Sequence, residues 1–234
     1  MNNKYDVIII GAGAAGLMCS FEAGKRGKKV CLLEHSSKIA EKIRISGGGR
    51  CNFTNLFSTD SNFISDNKHF CKSAFAKYTQ NDFIDLVKKH NIEFFEKKMG
   101  QLFCIKSAKD IIDMLVSECI NQKVEIFIDT KIKNLSKDEN SYIVKTDKGT
   151  ISSPSIVIAT GGLSIPKIGA TDFGYQIAKQ FNLKVTELTP ALVPLVFEKD
   201  ILDFCKSLAG TSLNASIKIN KTVFKEGLIF THRG

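Results

Sequence analysis

The chain has 234 residues, 43% of them apolar and 24% charged, the make-up of a soluble globular protein of one large domain or two modest ones. Seven cysteines without a C-x-x-C pair and four scattered histidines argue against a disulfide framework and a zinc cluster, and they suit reduced thiols in the cytoplasm. The net charge of +9 comes mostly from lysines set singly or in pairs such as Lys88-Lys89 and Lys97-Lys98, so it reads as a solvated surface, and no nucleic-acid partner is expected.

Tyr5–Ile10 is apolar throughout its second half, as a parallel strand buried on both faces requires. Ala14–Lys25 follows as a helix of small and apolar residues, Gly27 permits a turn, and Lys29–Leu33 reads as a second buried strand, together a βαβ unit. The longest apolar stretch, Val7–Cys19, is cut by three glycines and is too short for a bilayer, so no membrane association is expected.

Helices are predicted at Lys38–Ile45, His69–Tyr78 and Asn81–His90, the last capped by Asn81 with Phe83, Ile84 and Val87 on one face. Ser107–Gln122 is the clearest amphipathic helix, with a Ser107/Asp110 capping box and a stripe of Ile111, Ile112, Leu115, Val116 and Cys119. Val124–Ile128, Tyr142–Thr146 and Thr150–Ala159 read as strands of a small antiparallel meander feeding back to the main sheet. Asp172–Phe181 is one more helix, and Thr189-Pro190 with Val193-Pro194 suggests a domain crossing. Beyond it, Asp200–Leu208 is read as helical and Leu213–Ile219 as a half-exposed strand, turning at Asn220-Lys221 into Thr222–Phe224.

Three motifs carry chemistry. In Gly11-x-Gly13-x-x-Gly16, with Ala14 and Ala15 opening the helix, the first glycine allows a tight turn and the second lets backbone approach a pyrophosphate. The third allows helix to pack closely on sheet. Glu34 ends the next strand, where a carboxylate accepts from ribose hydroxyls and repels a 2′-phosphate. His35 beside it is either a neighbour of the adenosine or a polar residue at a strand end.

The second motif is Ser46-Gly47-Gly48-Gly49-Arg50-Cys51-Asn52, whose glycines would let a flat ring come close and whose Arg50 would stabilise negative charge on it. Cys51 has no second cysteine near it in sequence and reads as a packing residue. The third is the strand ending in Ala159-Thr160-Gly161-Gly162, placed behind the meander, where the chain passes close to the dinucleotide.

With these blocks in order, the chain resembles the HI0933-like family of NAD(P)/FAD-dependent oxidoreductases. The resemblance rests on GAGAAGLMCS, ISGGGRCNFTN, ATGGLSIPKIGAT, LTPALVPL and LIFTHRG. It implies an α/β fold with a doubly wound parallel sheet, Rossmann-like and FAD-binding, carrying a β-meander over residues 1–190, with a mainly-β second domain beginning at 191–234. It implies flavin contacts at Gly11, Gly13, Ala15, Glu34, Lys42, the Gly47–Asn52 segment and Thr160, flanked by Ala159 and Gly161, and a backbone contact of Ile132 with the adenine.

The activity implied is flavin-dependent oxidation or reduction of a small organic molecule, with NAD(P)H as a transient electron donor. No catalytic acid or base is identified. The chain departs from the family pattern at Gly100-Gln101-Leu102-Phe103-Cys104, where the family tends to have Gly-Arg-x-Phe-Pro, and at Asp172 of Gly169–Tyr175, where it has glycine. Because the family continues past Gly234, the chain is expected to be a truncated product lacking the last strand, with impaired activity. The rival readings are an NAD-dependent dehydrogenase without flavin, and a non-enzymatic remnant or basic nucleic-acid-binding module.

Overall fold

The computed structural model describes residues 4–190, 193–220 and 222–234. The part of the expected domain crossing at 191–192 and the Lys221 half of the expected turn lie outside the described residues. The chain divides into a first compact unit ending at Val185 and a second, Thr186–Gly234.

In chain order the first unit runs β1 (Val7–Ile10), α1 (Ala14–Lys25), β2 (Val30–Leu33), α2 (Glu41–Ile45), β3 (Asn52–Asn55), α3 (Lys72–Lys77), α4 (Gln80–Lys89), β4 (Phe94–Glu96), β5 (Gln101–Cys104) and α5 (Ala108–Asn121). It continues with β6 (Glu125–Phe127), β7 (Ile132–Lys137), β8 (Tyr142–Thr146), β9 (Gly149–Ser153), β10 (Ser155–Ile158) and α6 (Phe173–Gln180). The second unit holds α7 (Lys199–Ser207) and an antiparallel hairpin of β11 (Ser212–Ile219) and β12 (Thr222–Ile229).

Four parallel strands in the order β10-β1-β2-β6 form the central sheet. The register pairs Val7 with Val30 and Ile8 with Cys31, so alternate residues serve opposite faces. Val7, Ile9, Val30 and Leu32 pack with Leu17 and Phe21 of α1 and with Ile111, Leu115 and Cys119 of α5. Ile8, Ile10, Cys31 and Leu33 pack instead with Leu135, Val144 and Ile151 of the antiparallel meander β7-β8-β9 and with Ile177 of α6. The sheet is thus covered on both faces, which is why β1 and β2 are apolar at every position.

Val124–Ile128 is no meander strand: its core, β6, pairs in parallel with β2. The first meander strand is β7, whose polar sequence Ile-Lys-Asn-Leu-Ser-Lys buries only Leu135 fully and slips register between Ile132 and Asn134. Thr150–Ala159 is two strands, split at Pro154, which cannot donate to a ladder. A small antiparallel sheet, β3-β5-β4, was not foreseen.

The expected helix from Lys38 begins only at Glu41, because Ala40 is left-handed at φ +58°. At α4 the cap is Thr79 and not Asn81: the Thr79 amide and hydroxyl both donate to Asp82 Oδ2 at 2.6 Å. The Ser107/Asp110 box caps α5 as expected, while Met114 and Glu118 are buried in place of Val116. No helix among the described residues is long and apolar enough to cross a membrane.

Candidate dinucleotide site

The three glycines of the fingerprint meet three different demands. Gly11 leaves β1 at φ +102°, and a Cβ on it would stand 2.6 Å from the Ala159 carbonyl oxygen and 2.9 Å from Thr160 Cα. A Cβ on Gly16 would stand 1.8 Å from the Gly11 carbonyl oxygen, so α1 presses directly on the turn. Gly13 differs: nothing lies within 4 Å of where its Cβ would be. It is also the N-cap of α1 and brings no side chain to satisfy the helix's first amides. Bare backbone at a helix start, facing open space, is what an approaching phosphate needs.

That space is a cavity of about 820 Å3 at the carboxyl ends of β1, β2 and β10. Gly11, Gly13, Ala14, Ala15, Glu34, His35 and Ile132 all line it. Ala159, Thr160, Gly161 and Lys42 complete the set of expected residues that the fold brings together. Its size falls within the usual range for ligand pockets, about 300–1,000 Å3.

Glu34 is 7% exposed and rigidly held. Its Oε2 accepts from the Ala12 amide at 2.8 Å, and its Oε1 accepts from the Ser36 amide at 2.9 Å. The Nδ1 of His35 lies 3.0 Å from the same Oε1, and His35 Nε2 would stand 3.1 Å from a Cβ placed on Gly169. The carboxylate therefore ties the fingerprint turn to the end of β2 and retains lone pairs for a donor in the cavity. Lys42 reaches from α2 to donate to the Gly162 carbonyl at 3.3 Å, linking that helix to the turn after β10.

The other expected residues lie apart from this cavity. Gly16 serves the packing just described. Gly47, Gly48 and Gly49 form a tight turn with left-handed φ values of 58°, 66° and 84°, and Arg50 and Asn52 are exposed beyond it. A Cβ on Gly47 would stand 2.7 Å from the Phe103 ring, so this turn rests on β5. Cys51 is buried, and burial pushes its thiol up, partly offset by a hydrogen bond to Ser46.

The sequence reading missed Thr130 and Lys131, which line the cavity from the β6–β7 connection, and Ile168 to Thr171 with Phe173, which line it ahead of α6. The Gly-Ala-Thr segment at 169–171 was visible as a motif but had no strand or helix to place it. No group of three or more His, Cys, Asp or Glu side chains among the described residues is disposed to hold a metal ion.

Fold and turn together define a dinucleotide-binding domain of the Rossmann-like class. The model of the HI0933-like protein Rossmann domain matches residues 5–219, and the chain belongs to the HI0933-like family. The cofactor of this family is FAD.

The chain is 48% identical to a ribosomal RNA dihydrouridine synthase of Escherichia coli over 99% of its own length and 58% of the relative's. It is 25% identical to a 3-dehydro-bile acid delta(4,6)-reductase of Clostridium scindens over 89% of its length and 51% of the relative's. The chain therefore spans between half and three-fifths of the length of these curated relatives. Among solved structures, a 3-ketosteroid-delta4-(5alpha)-dehydrogenase of Rhodococcus jostii matches with a TM-score of 0.51, at 15% identity, over 69% of this chain and 46% of that one, a likeness of fold.

Proposed function

We propose that this chain is the FAD-holding part of a reductase that saturates uridine in ribosomal RNA. The observation that carries the cofactor assignment is Gly13, whose bare backbone at the start of α1 faces the cavity that Glu34 also lines. In this reading the amides at the start of α1 bind the pyrophosphate, and Glu34, held by Ala12 and Ser36, accepts from the ribose hydroxyls. Ile132 and the Thr160-Gly161 turn line the same cavity, where Ile132 would meet the adenine and the turn would hold the remainder of the cofactor. When bound, the flavin supplies a hydride, which it receives from NAD(P)H.

The substrate assignment is supported by the 48% identical relative's name. The bile-acid relative's name agrees with it in chemistry: both describe saturation of a carbon–carbon double bond, and in uridine and in a delta(4,6) 3-oxo steroid that bond is conjugated to a carbonyl. An RNA substrate runs against the expectation of no nucleic-acid partner drawn from the scattered lysines. The net charge of +9 suits RNA as well as it suits a solvated surface.

Nucleoside mass analysis of ribosomal RNA tests this directly. Cells with the gene disrupted should lose a 5,6-dihydrouridine that returns on complementation with the intact gene and not with its Glu34→Arg variant. An unchanged dihydrouridine content would contradict the substrate assignment.

A further inference from the structure

Two cysteines that lie far apart in sequence meet in the small antiparallel sheet. The register pairs Asn52 with Phe103, and Cys51, left-handed at φ +51°, precedes β3 beside the place where Cys104 ends β5. The Cys104 amide donates to the Arg50 carbonyl at 2.9 Å, which holds the two backbones together at that point. The two side chains are near enough for Cys51 to add to the rise of the Cys104 thiol, and a disulfide bridges Cα atoms about 4.4–6.8 Å apart. Both residues are buried, at 5% and 0% exposure, and both thiols are free.

We propose that Cys51 and Cys104 form a dithiol that closes to a disulfide, fastening the triple-glycine turn to β5. The oxidant is a small disulfide of the glutathione type. Cys51 loses its proton and its sulfur attacks the small disulfide, whose S–S bond breaks and releases one thiol. Cys104 then loses its proton and attacks the Cys51 sulfur of the mixed disulfide, forming the intrachain bond and releasing the second thiol. Two protein thiols are oxidised and one small disulfide is reduced to two thiols.

Burial opposes the first step. It pushes the Cys104 thiol up to about 12, with Cys51 adding to the rise, and it pushes Cys51 up as well. Since the thiolate is the nucleophile, closure is slow at neutral pH and speeds up in mild alkali. Access runs past Gly48 and Gly49, where an added Cβ would meet nothing within 4 Å.

The test is incubation of the intact protein with oxidised glutathione in mild alkali, followed by denaturation, alkylation and peptide mapping without reductant. The expected result is loss of two of the seven thiols, with a peptide pair joined through Cys51 and Cys104 and slower amide exchange at Gly47–Asn52. The Cys51→Ser and Cys104→Ser variants should each lack the joined pair, and the map of the unsubstituted protein decides the matter even if either variant folds poorly. Seven alkylated thiols, glutathione adducts without a joined pair, or a bond between other cysteines would overturn the proposal.

Discussion

Gly13 and Gly16 sit one helical turn apart and should respond oppositely to a side chain. The Cβ of a Gly16→Ala variant meets the Gly11 carbonyl oxygen, a backbone atom that cannot swing aside. We expect a loss of about 2–3 kcal/mol, read from denaturant unfolding. Gly13→Asp adds its atoms to open space at an ordinary φ of −84°, so stability should stay close to that of the unsubstituted chain. Its carboxylate would stand where the pyrophosphate belongs, and FAD affinity should fall by about tenfold or more, roughly the effect of a 1.4 kcal/mol repulsion. Equal damage to folding in both variants would contradict the division of labour between the two glycines.

Residue-level legibility followed the backbone constraints. The glycine spacing and Glu34 were readable because each position admits few residue types, whereas Ser36 and Thr130 act through backbone groups that any residue supplies. The closeness of Cys104 to Cys51 depended on strand pairing between segments that carry no apolar alternation, so the sequence showed Cys51 without a neighbour.

At the scale of elements, α4 and α5 are joined by a buried acid. Glu118 of α5 is 2% exposed, and its Oε1 accepts from Lys89 Nζ at 2.9 Å and lies 2.7 Å from His90 Nε2. Burial alone would raise this carboxyl, but the bonds from His90 and Lys89 outweigh it and leave Glu118 below the ordinary glutamate value. A carboxyl lowered in the folded state stabilises the fold above its unfolded pKa, and that stability is lost as pH falls through the folded pKa. Thermal unfolding followed from neutrality down through the carboxylate range should therefore show a shallower acid loss in Glu118→Gln than in the unsubstituted chain. Identical acid limbs would remove Glu118 from the account.

Capping gives a second prediction at this scale. Thr79 and Ser107 each cap a helix through a reciprocal box, and Thr79→Ala or Ser107→Ala should cost about 1 kcal/mol. Elements were legible where periodicity was strong: α1 runs over the expected Ala14–Lys25, and α5 over nearly all of its expected span. They were hidden where strands are short, polar or bulged, as in β3, β4 and β7. Asn81 lost the capping role to Thr79 because the partner three residues on, Asp82, reaches back to Thr79.

At the scale of the molecule, the parallel sheet places the ends of β1, β2 and β10 together, and one cavity collects the fingerprint, Glu34 and the Thr160 turn. Ligand binding at such a site stabilises the fold by mass action, so saturating FAD at about a hundred times its Kd should add about 2.7 kcal/mol. The melting temperature should rise with added FAD in the unsubstituted chain and by about half as much or less in Gly13→Asp.

The most direct test of the central claim, that the Gly11–Gly16 turn and Glu34 hold FAD, is the visible absorption spectrum of the protein after loading with FAD and gel filtration. A flavin band should travel with the unsubstituted chain and be lost in Gly13→Asp and Glu34→Arg, with both variants folded. A colourless unsubstituted chain, or a band that survives both substitutions, would contradict it.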